Sequence, residues 1–248
     1  MSRPAECPTK MLILVVIVGL VLALATLPGM WVKSIINRHA APRQDLPGTG
    51  GEFARHILDE MNLRHVKVEE TTLGDHYDPD AKAVRLLPEH MKGRSLSAVV
   101  IAAHEVGHAM QDATNYPPLA ARTRLARQAA RVEVLGAVVM LAAPIVLALA
   151  KSPHLMVIQI AAGVMILSMT ILMHAVTLPV EFDASFRRAL PVLEGGRYLP
   201  PEDMGAARQI GLNGTLPWRA PDDLRRFRQK TTGGILLVVI WVLLSLAF

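Results

Sequence analysis

Apolar and polar positions alternate in long blocks along this chain of 248 residues. Four blocks are almost free of charge, at 11–31, 132–150, 155–178 and 235–248. The first three have about the 20 residues that a helix needs to cross a bilayer, whereas the last is shorter and spans fully only if residues 231–234 extend it. We therefore predict four transmembrane helices.

The polar blocks between these stretches predict the remaining elements. A tail at 1–10 precedes the first apolar block, and a linker with several Pro and Gly occupies 32–51. The region 52–131 begins with a short helix at 52–62. Alternating residues at 65–69, a turn around Asp78 and a second apolar run at 83–87 then predict a β-hairpin. A second polar region occupies 179–234. The predicted fold is mainly α and integral to the membrane, with this short hairpin.

Composition and charge favour the same class of protein. Hydrophobic residues make up 52% of the chain, which is high for a globular domain in water. Lys and Arg near the ends of the predicted spans lie almost entirely in 32–131 and 179–234, which predicts that both regions face the cytoplasm of a multi-pass cell-membrane protein. Contact with anionic lipid accounts for the net charge of +5, and no nucleic-acid motif occurs. The single Cys7 excludes an internal disulfide.

One helical segment carries a metal-binding pattern. Residues 104–108 read His-Glu-Val-Gly-His, after a predicted N-cap at Ser95 and before the helix-breaking run 115–118. His104 and His108 lie one turn apart on one face, where both can bind one Zn²⁺, and Glu105 can accept a proton from a metal-bound water. The alternative is a polar stripe, but burying these groups without a partner is costly.

A catalytic zinc site normally has a third protein ligand. Thr114 occupies the position of the third metzincin histidine, so that subclass is excluded. The best remaining candidate is Glu181, just after Pro179, which suits the first turn of a new helix or a kink. Asp183 is a candidate to orient a ligand histidine. Alternatively, Glu181 is an acid favoured by a helix N-terminus.

The chain resembles a known family in four blocks that occur in the same order, at 77–79, 84–86, 102–111 and 178–185. These blocks are similar to those of the YugP-type membrane zinc metallopeptidases, which share their plan with the HtpX-like gluzincins. The resemblance implies peptide-bond hydrolysis with His104, His108 and Glu181 as zinc ligands and Glu105 as the base. One departure is Ser185, where the HtpX-like enzymes carry an acid.

Two further residues are candidates for stabilising the transition state. Tyr77 and His76 are side chains of the type that donates to an oxyanion, although either is more often simply structural. In zincin folds a strand beside the motif helix lines the cleft and pairs with an extended substrate. The predicted hairpin either has this role or is a packing element.

We therefore expect an integral-membrane zinc endopeptidase whose zincin-like catalytic region occupies 52–131. It should bind one Zn²⁺ per chain and act on a peptide or membrane-protein substrate. One alternative is a site-2-type intramembrane protease, which is disfavoured because Lys92, Arg94 and Asp112 flank the motif closely. Another alternative is a zinc-stabilised membrane scaffold without activity. Glu105 argues against a scaffold, since a structural site needs no base.

Overall fold

The computed structural model describes residues 30–150 and 153–215, with a few isolated positions before residue 30. Residues 30–38 are helical. The elements that follow are, in chain order, α1 (Gly50–Glu60), β1 (Lys67–Glu70), β2 (His76–Asp78), β3 (Ala83–Leu86), α2 (Pro88–Met91), α3 (Leu96–Ala113), α4 (Pro117–Ala150), α5 (Pro153–Phe182), a π-helix (Asp183–Ala189), α6 (Leu190–Gly195), a 3-10 helix (Pro201–Asp203) and α7 (Met204–Thr215).

Helix α3 forms the centre of the core. It begins at Leu96 because the Ser95 hydroxyl accepts a hydrogen bond from the Ala98 amide at 3.2 Å, and this predicted N-cap is confirmed. Every residue from Leu96 to Ala109 is buried. Helices α1 and α7, the π-helix and the sheet all pack around it. Because neighbours surround the helix, apolar residues occupy most of its circumference, and the polar motif residues are buried with them.

The sheet has three strands in the order β1-β3-β2. Strand β1 runs parallel to β3, with Lys67 opposite Ala83, and β2 runs antiparallel to β3. The predicted hairpin between 65–69 and 83–87 is therefore wrong, although both segments contain strands. The turn at Asp78, whose side chain accepts from the Asp80 and Ala81 amides, joins β2 to β3 instead. Alternation identifies a strand but does not identify its partner.

The predicted membrane-spanning fold is contradicted within the part of the chain that the structure describes. Helices form over 132–150 and 155–178, yet none of the described helices combines the length and apolar character that a bilayer crossing requires. Helices α4 and α5 pack together at Ala129 and Met173, but several large apolar side chains of both helices are exposed, among them Val134, Leu135 and Val157. Helix α5 continues to the buried Glu181. The stretches 11–31, for the most part, and 235–248 lie outside the described residues.

Helices α4 and α5 are both continuous. Helix α4 runs as one piece from Pro117 through the arginine-rich segment. Helix α5 continues through Pro179 to Phe182, so Glu181 does not begin a new helix. The π-helix follows directly, and such insertions are frequent at functional sites.

Candidate metal site

His104 and His108 lie on the same face of α3, one turn apart, as their spacing predicted. Their ring centroids are 4.7 Å apart and the rings are nearly perpendicular, at 82°. Glu105 lies beside them, and the three residues each offer a ligand atom within 4.8 Å of the others. All three side chains are buried in the core. A buried cluster of this composition suits a metal ion, because imidazole and carboxylate groups are common zinc ligands.

Glu181 reaches the two histidines from the end of α5. Its Oε2 lies 3.1 Å from His104 Nε2 and 3.4 Å from His108 Nε2. Ligand atoms about 2.1 Å from a tetrahedral zinc are separated from each other by about 3.4 Å, so the carboxylate oxygen lies at a suitable distance from both nitrogen atoms. Glu181 Oε1 accepts no hydrogen bond from any residue that the structure describes. The donor set and this unsatisfied buried oxygen both fit a zinc ion.

The charges of the site favour an ionised Glu181. Burial alone would raise the pKa of this carboxyl group, but His108, His104 and Arg122 together hold it well below its ordinary value. Burial would likewise lower the pKa of His108, and Glu181 reverses this effect and raises it. The Arg122 guanidinium lies 3.7 Å from Glu181 Oε1. Glu181 is therefore available as an anionic ligand.

The Nδ1 atom of each histidine, on the side of the ring away from Glu181, contacts a neutral side chain. His104 Nδ1 lies 2.8 Å from Ser185 Oγ, and His108 Nδ1 lies 2.9 Å from Gln111 Oε1. The Gln111 amide donates to the Val180 carbonyl at 2.7 Å. These contacts leave both Nε2 atoms directed toward Glu181.

Asp183 contacts neither histidine. Its Oδ2 accepts from Gln111 Nε2 at 2.9 Å and from Arg188 Nε at 2.7 Å. Burial would raise the pKa of Asp183, but the hydrogen bonds from Arg188 and Gln111 outweigh it, and the pKa lies below its ordinary value. Any effect of Asp183 on the site therefore passes through Gln111.

Tyr77 and His76 form contacts of their own. The Tyr77 hydroxyl donates to Asp112 Oδ2 at 2.6 Å, and burial and this bond raise the pKa of the phenol. Lys82 reaches the same carboxylate oxygen. His76 Nδ1 lies 2.8 Å from the Gly74 carbonyl. The structure thus places the Tyr77 hydroxyl one turn beyond His108 along α3, at Asp112.

The π-helix packs closely against α3 at Gly107, inside the motif. A Cβ atom at this position would lie 2.6 Å from the Ala184 carbonyl oxygen, closer than carbon and oxygen can approach. The absence of a side chain lets the two backbones touch. This contact brings Glu181 and Ser185 to the histidines.

The sequence analysis assigned no role in the site to Gln111, Ser185 or Arg122. Gln111 follows His108 by three residues, and Ser185 follows Glu181 by four, so helical spacing alone could have suggested both. Arg122 was interpreted only as one of several basic residues facing lipid headgroups. Its side chain is instead 13% exposed and pairs with Glu181.

Comparison with known proteins identifies the class of this site. The chain belongs to the family described as "Putative neutral zinc metallopeptidase", which it matches over residues 12–214. It is 33% identical over 187 residues to the "Putative membrane protease YugP" of Bacillus subtilis (strain 168), an alignment that covers 72% of this chain and 77% of that protein. No solved structure matches the chain. The predicted resemblance is confirmed, and the family supports a zinc-dependent peptidase.

Proposed function

We propose that this protein is a zinc-dependent endopeptidase with one Zn²⁺ per chain. His104, His108 and Glu181 are the proposed ligands, and Glu105 is the proposed base. The observation that carries the proposal is the convergence of His104 Nε2, His108 Nε2 and Glu181 Oε2, with separations of 3.1 and 3.4 Å to the carboxylate oxygen. Three protein ligands leave the fourth position of a tetrahedral ion open, as catalytic zinc sites require.

Two buried carboxylates lie near the histidines, and their surroundings suggest different roles. Glu181 faces both Nε2 atoms, so it suits the ligand role. Glu105 also offers an oxygen near the histidines, but it follows the first histidine of the motif, the position of the general base in zinc peptidases with this pattern. When bound, zinc polarises the scissile carbonyl and lowers the pKa of a bound water to about 7. Glu105 then accepts the proton of the attacking water and passes it to the leaving amine.

An extended peptide is the proposed substrate. Strand β2 lies at an edge of the sheet, packs against α3 and is tied to it by the Tyr77–Asp112 hydrogen bond. A free strand edge can pair with a peptide backbone, which gives affinity with little dependence on side chains. Tyr77 and His76 on this strand remain candidates for contacting the substrate.

We further propose an association with a membrane, which would bring membrane proteins within reach as substrates. The support is the name of the Bacillus subtilis relative, a membrane protease. Fractionation of cells that express the protein tests this point directly. Recovery with the membrane pellet is expected, and recovery in the supernatant alone would contradict it.

The decisive experiment compares the purified wild-type protein with Glu105→Gln. The variant keeps all three proposed ligands, so it should bind zinc like the wild type while cleaving a generic protein substrate slower by several orders of magnitude. Metal content and cleavage are measured on the same samples. A Glu105→Gln protein that cleaves at the wild-type rate would contradict the proposed role of Glu105 as the base. Zinc binding without cleavage in the wild type would favour the scaffold alternative.

A further inference from the structure

We propose that Gln111 and Ser185 are positioning residues that fix the tautomers of the two ligand histidines. Each accepts a hydrogen bond from an Nδ1–H group, so that both Nε2 lone pairs face the metal position. The proposal rests on the proposed function, since it concerns histidines that bind zinc. The hydrogen bond at one ring nitrogen decides which nitrogen remains free to bind a metal.

The Gln111 side chain has only one orientation that satisfies its neighbours. Its amide nitrogen lies 2.7 Å from the Val180 carbonyl and 2.9 Å from Asp183 Oδ2, and both of these oxygens are acceptors. The NH₂ group must therefore face them, which turns Oε1 toward His108 at 2.9 Å. An amide oxygen can only accept. His108 consequently carries a hydrogen on Nδ1.

Ser185 acts in the same way on His104. Its hydroxyl oxygen lies 3.4 Å from the Gly211 carbonyl oxygen and 2.8 Å from His104 Nδ1. A hydroxyl hydrogen turned toward the carbonyl keeps the oxygen lone pairs for an Nδ1–H group of His104. Ser185 and Gln111 are both completely or almost completely buried, so water does not compete for these bonds. A neutral acceptor orients the ring without adding a charge.

Asp183 and Arg188 extend this arrangement by one more contact. Arg188 Nε donates to the same Asp183 oxygen that receives the Gln111 amide. Asp183 therefore orients the Gln111 amide by a hydrogen bond, and the Gln111 oxygen orients His108 by another. This order explains how Asp183 can influence a ligand histidine that it does not touch.

The test measures zinc affinity by competition with a chelator in Gln111→Met and Ser185→Ala. Loss of a residue that orients a ligand typically lowers metal affinity by about 10- to 100-fold, and we expect a loss in this range for each variant. Ser185→Thr keeps the hydroxyl and should restore most of the affinity. Gln128→Met, on an exposed part of α4, and Ser168→Ala, on α5, are matched controls that should bind zinc like the wild type.

A spectroscopic measurement separates positioning from general damage to the fold. In the Co²⁺-substituted protein, each ligand histidine should give one shifted, solvent-exchangeable Nδ1–H proton signal. Gln111→Met should broaden or remove one of the two signals and Ser185→Ala the other, while Ser185→Thr keeps both. Wild-type affinity and unchanged signals in Gln111→Met and Ser185→Ala would overturn this proposal alone. Failure of the wild type to bind either metal would instead contradict the proposed function.

Discussion

At the scale of single residues, Glu181 is the ligand on which the site most depends. Its Oε2 lies 3.1 Å from His104 Nε2 and 3.4 Å from His108 Nε2. Glu181→Ala should therefore lower zinc affinity by much more than the roughly 10- to 100-fold of an orienting residue. Asp183→Ala, which acts only through Gln111, should fall within that milder range. Competition with a chelator measures both variants.

The controls for this prediction are Glu194→Ala and Glu202→Ala. Both glutamates are exposed, and Glu194 forms only a long ion pair with Arg208 at 3.8 Å. Neither substitution should change zinc binding. If Glu181→Ala binds zinc like the wild type, another residue must supply the third ligand.

Asp183 also makes a residue-scale contribution that depends on pH. Its folded pKa lies below the ordinary value of 3.8, so its stabilising effect is present above that value and is lost as the pH falls through the folded pKa. Asp183→Asn should therefore be less stable than the wild type at neutral pH, and the difference should shrink below about pH 4. Urea unfolding of the metal-free proteins across this pH range measures the difference. A gap that is constant or grows on acidification would contradict the role of the Asp183 charge.

Sequence spacing sufficed to predict that the side chains of His104, Glu105 and His108 lie close together, because all three lie within two helical turns. Glu181 required a search for a carboxylate far along the chain, aided by the family resemblance. Gln111 and Ser185 escaped prediction because polar residues at helical spacing are common, and only packing decides which are buried. Arg122 was assigned to the wrong environment, since a basic residue beside an apolar run resembles a membrane flank.

At the scale of elements, the site depends on a backbone contact between α3 and the π-helix. Gly107→Ala would place a methyl group 2.6 Å from the Ala184 carbonyl oxygen, and the π-helix would have to move. Overpacking of this kind costs about 1–3 kcal/mol of unfolding free energy. Because Ser185 lies in the π-helix and Glu181 lies two residues before it, zinc affinity should fall as well.

Gly205→Ala provides the matched control for Gly107→Ala. Gly205 lies in α7, and nothing lies within 4 Å of the position of an added Cβ. The helical preference of alanine should leave this variant as stable as the wild type or raise its unfolding free energy by up to about 1 kcal/mol. Urea unfolding and zinc competition are measured on both variants. Gly107→Ala with unchanged stability and affinity would show that the contact is not required.

Helix ends were more predictable than strand pairing. The start of α3 follows from the Ser95 cap, a local signal within four residues. The parallel pairing of β1 with β3 depends on contacts between segments that are distant in sequence, which alternation does not encode. The π-helix was not predicted either. Its residues continue the helical pattern of α5, and nothing local marks the change in hydrogen bonding.

At the scale of the whole molecule, the two apolar blocks that the structure describes form helices, but the prediction that they cross a membrane is contradicted. The stretches 132–150 and 155–178 lie within α4 and α5, which pack against each other. Neither of these helices combines the length and apolar character that a bilayer crossing requires. A block with few charges therefore predicted the helix but not its surroundings.

Zinc should stabilise the whole fold, because its proposed ligands join two helices that are far apart in the chain. His104 and His108 lie on α3, whereas Glu181 ends α5, and the unfolded chain does not hold them together. Free zinc at 1,000 times its dissociation constant should add about 4 kcal/mol to the unfolding free energy. For a chain of this size, each kcal/mol raises Tm by about 2–4 °C.

The measurement compares Tm with zinc and with excess chelator in the wild type, Glu105→Gln and Glu181→Ala. Glu105→Gln should keep the full rise in Tm, because the base is not a proposed ligand. Glu181→Ala should lose most of it, because two histidines alone bind zinc weakly and no longer tie α5 to α3. If the rise in Tm survives in Glu181→Ala but disappears in Glu105→Gln, the assignment is wrong, and Glu105 rather than Glu181 is the third ligand.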